Sequence, residues 1–284
     1  MKIGIVTDST TDQTDEDYKK HDIVMVPLTV RFGDEVMVDW KDAKPEEFYK
    51  RMRAAETLPQ TSQPSAQAFA DAYRSLAKTC DHIISIHITS KLSGTIHSAE
   101  AAATMVKNEI PVTCIDSEVI SHLLWAVILR MDAARKAGRT LEQIVEITEA
   151  AKKRAKLFFT VDTMKYLEMG GRIGKAQAFL GQLLNVKPIL TLTDGGTPTP
   201  KGKSRGSKAS IREIVGFAKA EIDAIPADEE VTLITAHADS PEMLAYMEQL
   251  ITEMGLRYTN RLSGWIGSVV GSHLGPGTMA IGVV

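Results

Sequence analysis

The stretch HIISIHI, His82 to Ile88, runs into Thr89-Ser90-Lys91-Leu92-Ser93-Gly94-Thr95 and then an alanine-rich segment from about His97 to Lys107. Its reading decides the fold. A short apolar run rich in β-branched residues is a buried strand. The hydroxyl-rich loop ends it, and alanine is the best helix former. Strand, loop and helix in that order form half of a βαβ unit and place the chain in the α/β class.

Working outward, the same pattern repeats. Ile3 to Thr7 reads as a buried strand ending at Asp8-Ser9-Thr10-Thr11-Asp12, and Val112 to Ile115 as another ending at Asp116-Ser117. Ile23 to Phe32 and Val36 to Trp40 are strand-like around a Gly33-Asp34 turn. Pro45-Glu46-Glu47 and Pro64 carry helix-start chemistry, proline early and acids in the first turn. Two helices are expected near 119–137 and 140–155. Beyond them, Leu157 to Val161 reads as a strand. Pro188 to Thr193 and Thr197 to Lys203 read as a hairpin around Asp194-Gly195-Gly196. Helices near 208–222 and 241–254, strands at Val231 to Ala236 and near 257–262, and the apolar run Met279 to Val284 complete the pattern. We therefore expect a two-lobed α/β protein. Its N-terminal domain, residues 1–156, has a mainly parallel sheet flanked by helices; its C-terminal domain, 157–284, is a mixed α/β lobe. No linker marks the boundary, and a chain that crosses between lobes twice fits the same pattern.

Composition narrows the function. With 44% apolar and 24% charged residues, the 284-residue chain has an ordinary globular make-up, sufficient for a sizeable core. A net charge of −3 gives no general attraction to nucleic acid or anionic membrane. Two cysteines, Cys80 and Cys114, do not make a disulfide framework and are expected as buried free thiols. The start, Met1 to Asp8, turns polar too soon for a signal peptide, and no run of about 18 apolar residues occurs. The expected compartment is the cytoplasm.

Several chemistries fail on their motifs. Gly170-Gly171-Arg172-Ile173-Gly174-Lys175 resembles a phosphate loop, but Met169 and Ala176 break the spacing and a helical pattern precedes it. Ser75-Leu76-Ala77-Lys78 matches S-x-x-K without its companion motifs, and no G-x-S-x-G occurs. The seven histidines lack H-E-x-x-H or C-x-x-C partners, so no metal is expected. His82 and His87 read as packing or solvent-facing strand residues.

What remains is binding capacity. Ser9, Thr10, Thr61, Ser62, Ser65, Ser93 and Thr95 gather where strands give way to loops, and ligands of open α/β sheets sit outside the carboxyl ends of strands. Ser93-Gly94-Thr95 opens a helix, whose free N–H groups and partial positive charge favour an anion. Gly94 permits close backbone approach. On these residues alone, Thr61 and Ser93 are either helix caps or anion-holding groups.

The chain resembles the DegV family. The resemblance is carried by Thr7-Asp8-Ser9-Thr10, Thr61-Ser62-Gln63-Pro64-Ser65, Ser90 to Thr95, Gly170 to Lys175 and His273-Leu274-Gly275-Pro276-Gly277, in that order. Relatives often have an aromatic residue where this chain has His97. The resemblance implies a two-domain α/β protein that binds one long-chain fatty acid between its lobes and has no catalytic residue or cofactor of its own. It further implies that the carrier presents the acyl chain to a separate fatty acid kinase subunit. Thr61 and Ser93 would contact the carboxylate, with Ser62, Gly94, Thr95, Arg172 and His273 in the same polar network. Lys203 and Arg205 would lie on a basic surface that meets the kinase subunit or, transiently, a membrane surface. Nucleic acid is not an expected partner.

The energetics are compatible. About 0.8 kcal/mol per buried CH₂ gives roughly 11 kcal/mol gross for a 16-carbon chain, against about 4–15 kcal/mol of association cost. Methionine suits adaptable walls; Met164, Met169, Phe179, Leu180, Leu183 and Leu184 fit either such walls or ordinary core. Two rivals stand beside this reading. One is a metal-dependent hydrolase or transferase of a small anionic substrate, using Asp8, Asp116 or Asp162. The other is a scaffolding protein whose lipid is only structural.

Overall fold

The computed structural model describes residues 1–55, 57–180 and 186–284. In chain order the first half runs β1 (Ile3–Asp8), α1 (Asp15–Lys20), β2 (Ile23–Val26), β3 (Thr29–Phe32), β4 (Glu35–Val38), α2 (Pro45–Ala54), β5 (Gln60–Ser62), α3 (Ala66–Ala77), β6 (His82–His87), α4 (Thr95–Met105), β7 (Val112–Asp116), α5 (Ser121–Lys136) and α6 (Leu141–Arg154). The second half continues with β8 (Lys156–Thr160), α7 (Lys165–Met169), β9 (Lys187–Thr193), β10 (Thr197–Ser204), α8 (Ser207–Asp223), β11 (Thr232–His237), α9 (Pro241–Glu253), β12 (Asn260–Trp265), α10 (Ser268–Leu274) and β13 (Met279–Val283).

Among the described residues three sheets result. The first is parallel, in the order β2-β1-β6-β7, and is the expected βαβ array. β1 and β6 are buried along nearly their whole length, so they are apolar on both faces rather than alternating. The second sheet is mixed, in the order β10-β9-β8-β13-β11-β12. β13 lies in its middle, antiparallel to both neighbours, which is why the closing apolar run is buried throughout. Pro198 and Pro200 sit in β10, the edge strand, where a missing N–H leaves no ladder bond unmade.

The third sheet, β4-β3-β5, corrects one expectation. Ile23 to Phe32 is not one strand. Pro27 has no N–H and interrupts the ladder, so β2 joins the parallel sheet while β3 pairs antiparallel with β4 and β5. That pairing puts Thr61 beside Val30. Cys80 and Cys114 are free, as expected, but only half-buried.

α5 is central. Leu123 to Ile128 are buried around its whole circumference, as a helix covered on all sides must be. It packs against α6 and against β11 and β12 of the mixed sheet. α10, though late in the chain, packs on α2, β3 and β5. One continuous core therefore runs through both halves.

Candidate functional site

Between the two halves lies a cavity of about 290 Å³. Leu28, Ile88, Leu92 and Ile120 line it from the first half; Phe159, Leu167, Leu192, Pro198, Val269, Val270 and Leu274 line it from the second. Its polar residues, Thr61, Ser62, Gln63, Ser93, Arg172 and His273, complete the lining. Two further spaces adjoin it. An inner recess of about 20 Å³ shares Ile120, Phe159, Val270 and Leu274, and closes on Leu157, Ile234, Ala236 and His122. An outer groove of about 560 Å³ shares Thr61, Arg172 and His273 and is lined by Leu58, Lys165 and Gly170. The three form a series: a polar mouth, a greasy chamber and a blind apolar end. Among the described residues no acidic side chain lines the chamber or the groove, whereas Lys165 and Arg172 do, so the mouth favours an anion.

The mouth is assembled from four segments. β5 presents Thr61, whose Oγ1 lies 2.8 Å from His273 Nε2 on α10. His273 Nδ1 is buried without a hydrogen-bond partner among the described residues, and burial, with Arg172 adding to it, holds the imidazole down to about 4. The ring is therefore neutral near pH 7. The tautomer with its proton on Nε2 donates to Thr61 and frees the threonine hydrogen for a ligand. Gly170 is required here, since a Cβ would collide with His273 Nδ1.

Arg172 donates from Nε to the Leu92 carbonyl at 3.1 Å and from Nη1 to the Gly170 carbonyl at 2.6 Å. These bonds fasten the guanidinium to loops of both halves and leave Nη2 without a protein partner among the described residues. Ser93 Oγ lies 2.8 Å from Thr95 Oγ1 and accepts from the Thr95 amide at 3.3 Å; with Thr95 as the donor of the hydroxyl pair, the Ser93 hydrogen is available to the cavity.

α10 is held in place by Asp39, which accepts from Ser268 Oγ at 2.5 Å and from Ser9 Oγ at 2.6 Å. Burial pushes the Asp39 carboxyl up to about 6, against the lowering by these two serines. Tyr49 OH donates to the Ile266 carbonyl at 2.9 Å just before α10.

The structure thus brings Thr61, Ser62, Ser93, Arg172 and His273 to one cavity. Gly94 and Thr95 stand behind it. Thr95 is fully buried, and the close approach to Gly94 is made by Gln63, whose Oε1 would collide with a Cβ there. Sequence reasoning misses Gln63 as a site residue, although its place inside one of the five motifs is a signal that could have found it. Lys203 and Arg205 are exposed on β10 and just beyond it, away from the mouth.

Of the two readings left open for the wall candidates, a methionine-lined chamber is not the one found. Among the described residues no methionine lines the chamber; its surface is branched aliphatic and aromatic. Met164 is core, Met169 is 64% exposed and borders the outer groove, and Phe179 and Leu180 pack on the core from its margin. Leu183 and Leu184 lie outside the described residues.

The carboxylates of the hydrolase reading are elsewhere. Asp8 is fully buried and accepts from the Thr10 and Ile88 amides and from His87, tying β1 to β6. His87 is thus a satisfied core histidine. Asp116 accepts from the Ser90 and Glu118 amides, and Asp162 pairs with Lys187 at 2.8 Å. Among the described residues no three His, Cys, Asp or Glu side chains converge as a metal site. Thr61 and His273 resemble a nucleophile and base, but among the described residues the third, orienting group is missing at Nδ1. Among the described residues no helix is long and apolar enough to cross a membrane.

Comparison with known proteins finds relatives over the whole chain. A family model described as "Uncharacterised protein, DegV family" matches residues 2–284. A DegV domain-containing protein of Deinococcus radiodurans is 34% identical, covering 99% of this chain and 98% of its own. The structure of a DegV family protein from Thermus thermophilus, described for its fatty acid binding, superposes with a TM-score of 0.93 at 34% identity, covering 100% of this chain and 99% of that one. DegV of Bacillus subtilis, described as a fatty acid binding protein, gives 0.89 at 33% identity over 100% and 99%. The chain belongs to the DegV family.

Proposed function

We propose that this protein is a non-catalytic carrier that encloses one long-chain fatty acid and presents its carboxylate to a separate fatty acid kinase subunit. The observation that carries the reading is a greasy chamber whose polar end opens on a cationic groove, free of acidic side chains among the described residues. The Thr61 and Ser93 hydroxyls donate to the carboxylate, Arg172 supplies charge, and His273 orients Thr61. Gln63 and Ser62 complete the rim. Fatty acid binding by the relatives from Thermus thermophilus and Bacillus subtilis supports the same ligand. A head group at the mouth remains reachable from outside, as transfer of a phosphoryl group by a partner requires.

The lobes of this reading are residues 1–156 and 157–284. All strands of the parallel sheet precede Lys156 and all strands of the mixed sheet follow from it, which supports that division. Lys203 and Arg205 form the basic surface for the kinase subunit or a transient membrane contact, and the carrier works in the cytoplasm.

The test is native mass spectrometry of gently purified protein, followed by solvent extraction. One fatty acid per chain is expected. Protein that is empty and also refuses added palmitate and oleate refutes the carrier reading. Arg205→Glu should keep the lipid but impair acyl phosphate formation by the kinase subunit; undiminished formation removes Arg205 from that surface.

A further inference from the structure

A second cavity, of about 670 Å³, lies outside the carboxyl ends of β8 and β11 and, among the described residues, shares no lining residue with the acyl chamber. Two helices start at it. α8, of 17 residues, enters behind Gly206, which has no side chain to cap it; α9, of 13 residues, enters behind Ser240, whose hydroxyl makes no cap bond. The first helical bonds are Ser210 N–H to the Gly206 carbonyl at 3.1 Å and Leu244 N–H to the Ser240 carbonyl at 3.0 Å. The amides of the lining residues Ser207, Lys208, Ala209 and Met243 precede those bonds and have no helical acceptor.

An independent observation points to a ligand. Thr160, at the end of β8, lines this cavity, is 4% exposed, and its hydroxyl is buried with no hydrogen-bond partner among the described residues. A buried hydroxyl left unpaired costs about 1–3 kcal/mol, so a fold that keeps one there has a use for it. The charge is also suited to an anion. Asp162 is the one acidic residue lining the cavity among the described residues, and Lys187 neutralises it at 2.8 Å. Arg205 and Lys208 remain, two exposed cations at the rim.

We propose that this cavity is a binding site for a phosphate monoester group, held by the Thr160 hydroxyl and the free amides that begin α8 and α9, with Arg205 and Lys208 balancing its charge. Donors converging from two helix starts and a strand end suit a tetrahedral group with three terminal oxygens better than a planar carboxylate. Two cations at the rim match a dianion. The monoester belongs either to a small soluble metabolite or to a lipid head group of the phosphatidic acid type, since both present the same oxygens.

The protein as purified is titrated calorimetrically with inorganic phosphate and with glycerol 3-phosphate. In parallel, it is sedimented with phosphatidylcholine vesicles with and without phosphatidic acid. Saturable one-site binding of a soluble ligand identifies a metabolite site. Binding only to the phosphatidic acid vesicles identifies a head-group site. Lys208→Gln should weaken either by about tenfold, the loss of one charge-assisted contact. Thr160→Val should weaken it as well while holding or raising the melting temperature of the ligand-free protein, because the unpaired hydroxyl is gone; a merely structural threonine would not separate the two readouts. The proposal is overturned if none of these ligands binds saturably, or if both variants bind as the parent does. None of these outcomes depends on the acyl chain, whose content is read separately by native mass spectrometry.

Discussion

Replacing Thr61 with valine and Ser93 with alanine removes the two hydroxyls at the chamber mouth with little change of shape. Thr61→Val keeps a β-branched side chain at the β5 position paired opposite Val30. Ser93→Ala also releases the Thr95 amide, a local loss of about 0.5–1.5 kcal/mol in stability. For an ionised ligand each hydroxyl donates a charge-assisted bond of about 1.5–3 kcal/mol, so each loss should raise Kd by roughly 10- to 150-fold. The two act on one carboxylate and should add incompletely. A methyl ester of the same fatty acid makes only neutral bonds, of about 0.5–1.5 kcal/mol, and should lose roughly tenfold or less from each. Displacement of a fluorescent fatty acid, run with palmitate and with methyl palmitate on parent, single and double variants, reads the difference directly. Equal losses for acid and ester would show that the hydroxyls do not read the head group, and the assignment of the mouth would fail.

Two further outcomes follow from the same geometry. Val270 lines both the chamber and its inner recess. Val270→Phe should block the blind end and cost an 18-carbon chain about 2 kcal/mol, two to three CH₂ groups, while sparing a 14-carbon one; an unchanged chain-length profile would place the tail elsewhere. His273 provides a pH signature. Its folded value of about 4 lies below the ordinary 6.5, so between these values the unfolded chain binds the extra proton and stability falls as pH falls. Asp39, raised to about 6 from 3.8, opposes this over part of the window, because there the folded state holds the extra proton. Comparison with His273→Gln isolates the histidine. In denaturant unfolding of delipidated protein, the parent should lose roughly 1–3 kcal/mol more than the variant between pH 7 and pH 5; parallel losses would refute a neutral, buried His273.

The correspondence between sequence and structure differs from segment to segment, for local reasons. His82 to Ile88 is legible because a buried parallel strand is a continuous apolar run, and the hairpin at Asp194-Gly195-Gly196 because turn chemistry is local. Ile23 to Phe32 reads as one strand because both of its halves are strands and only their partners differ, with Pro27 the sole local sign. α10 leaves no trace in the sequence pattern, since its seven residues are too short to show a helical period.

By itself the sequence determined the α/β class, the mainly parallel character of the first sheet, the hydroxyl-rich loops at strand ends and, through five ordered motifs, the family. Those features are encoded in residues near one another along the chain. Only the tertiary structure decided that Thr61 meets His273 across 212 positions, that Arg172 is pinned between Leu92 and Gly170, and that the chamber wall is aliphatic rather than methionine-rich. A cavity is packing left unmade between distant elements. Periodicity tells which face of each element is apolar, but the fate of that face, filled or left open to a guest, is settled by how the elements dock.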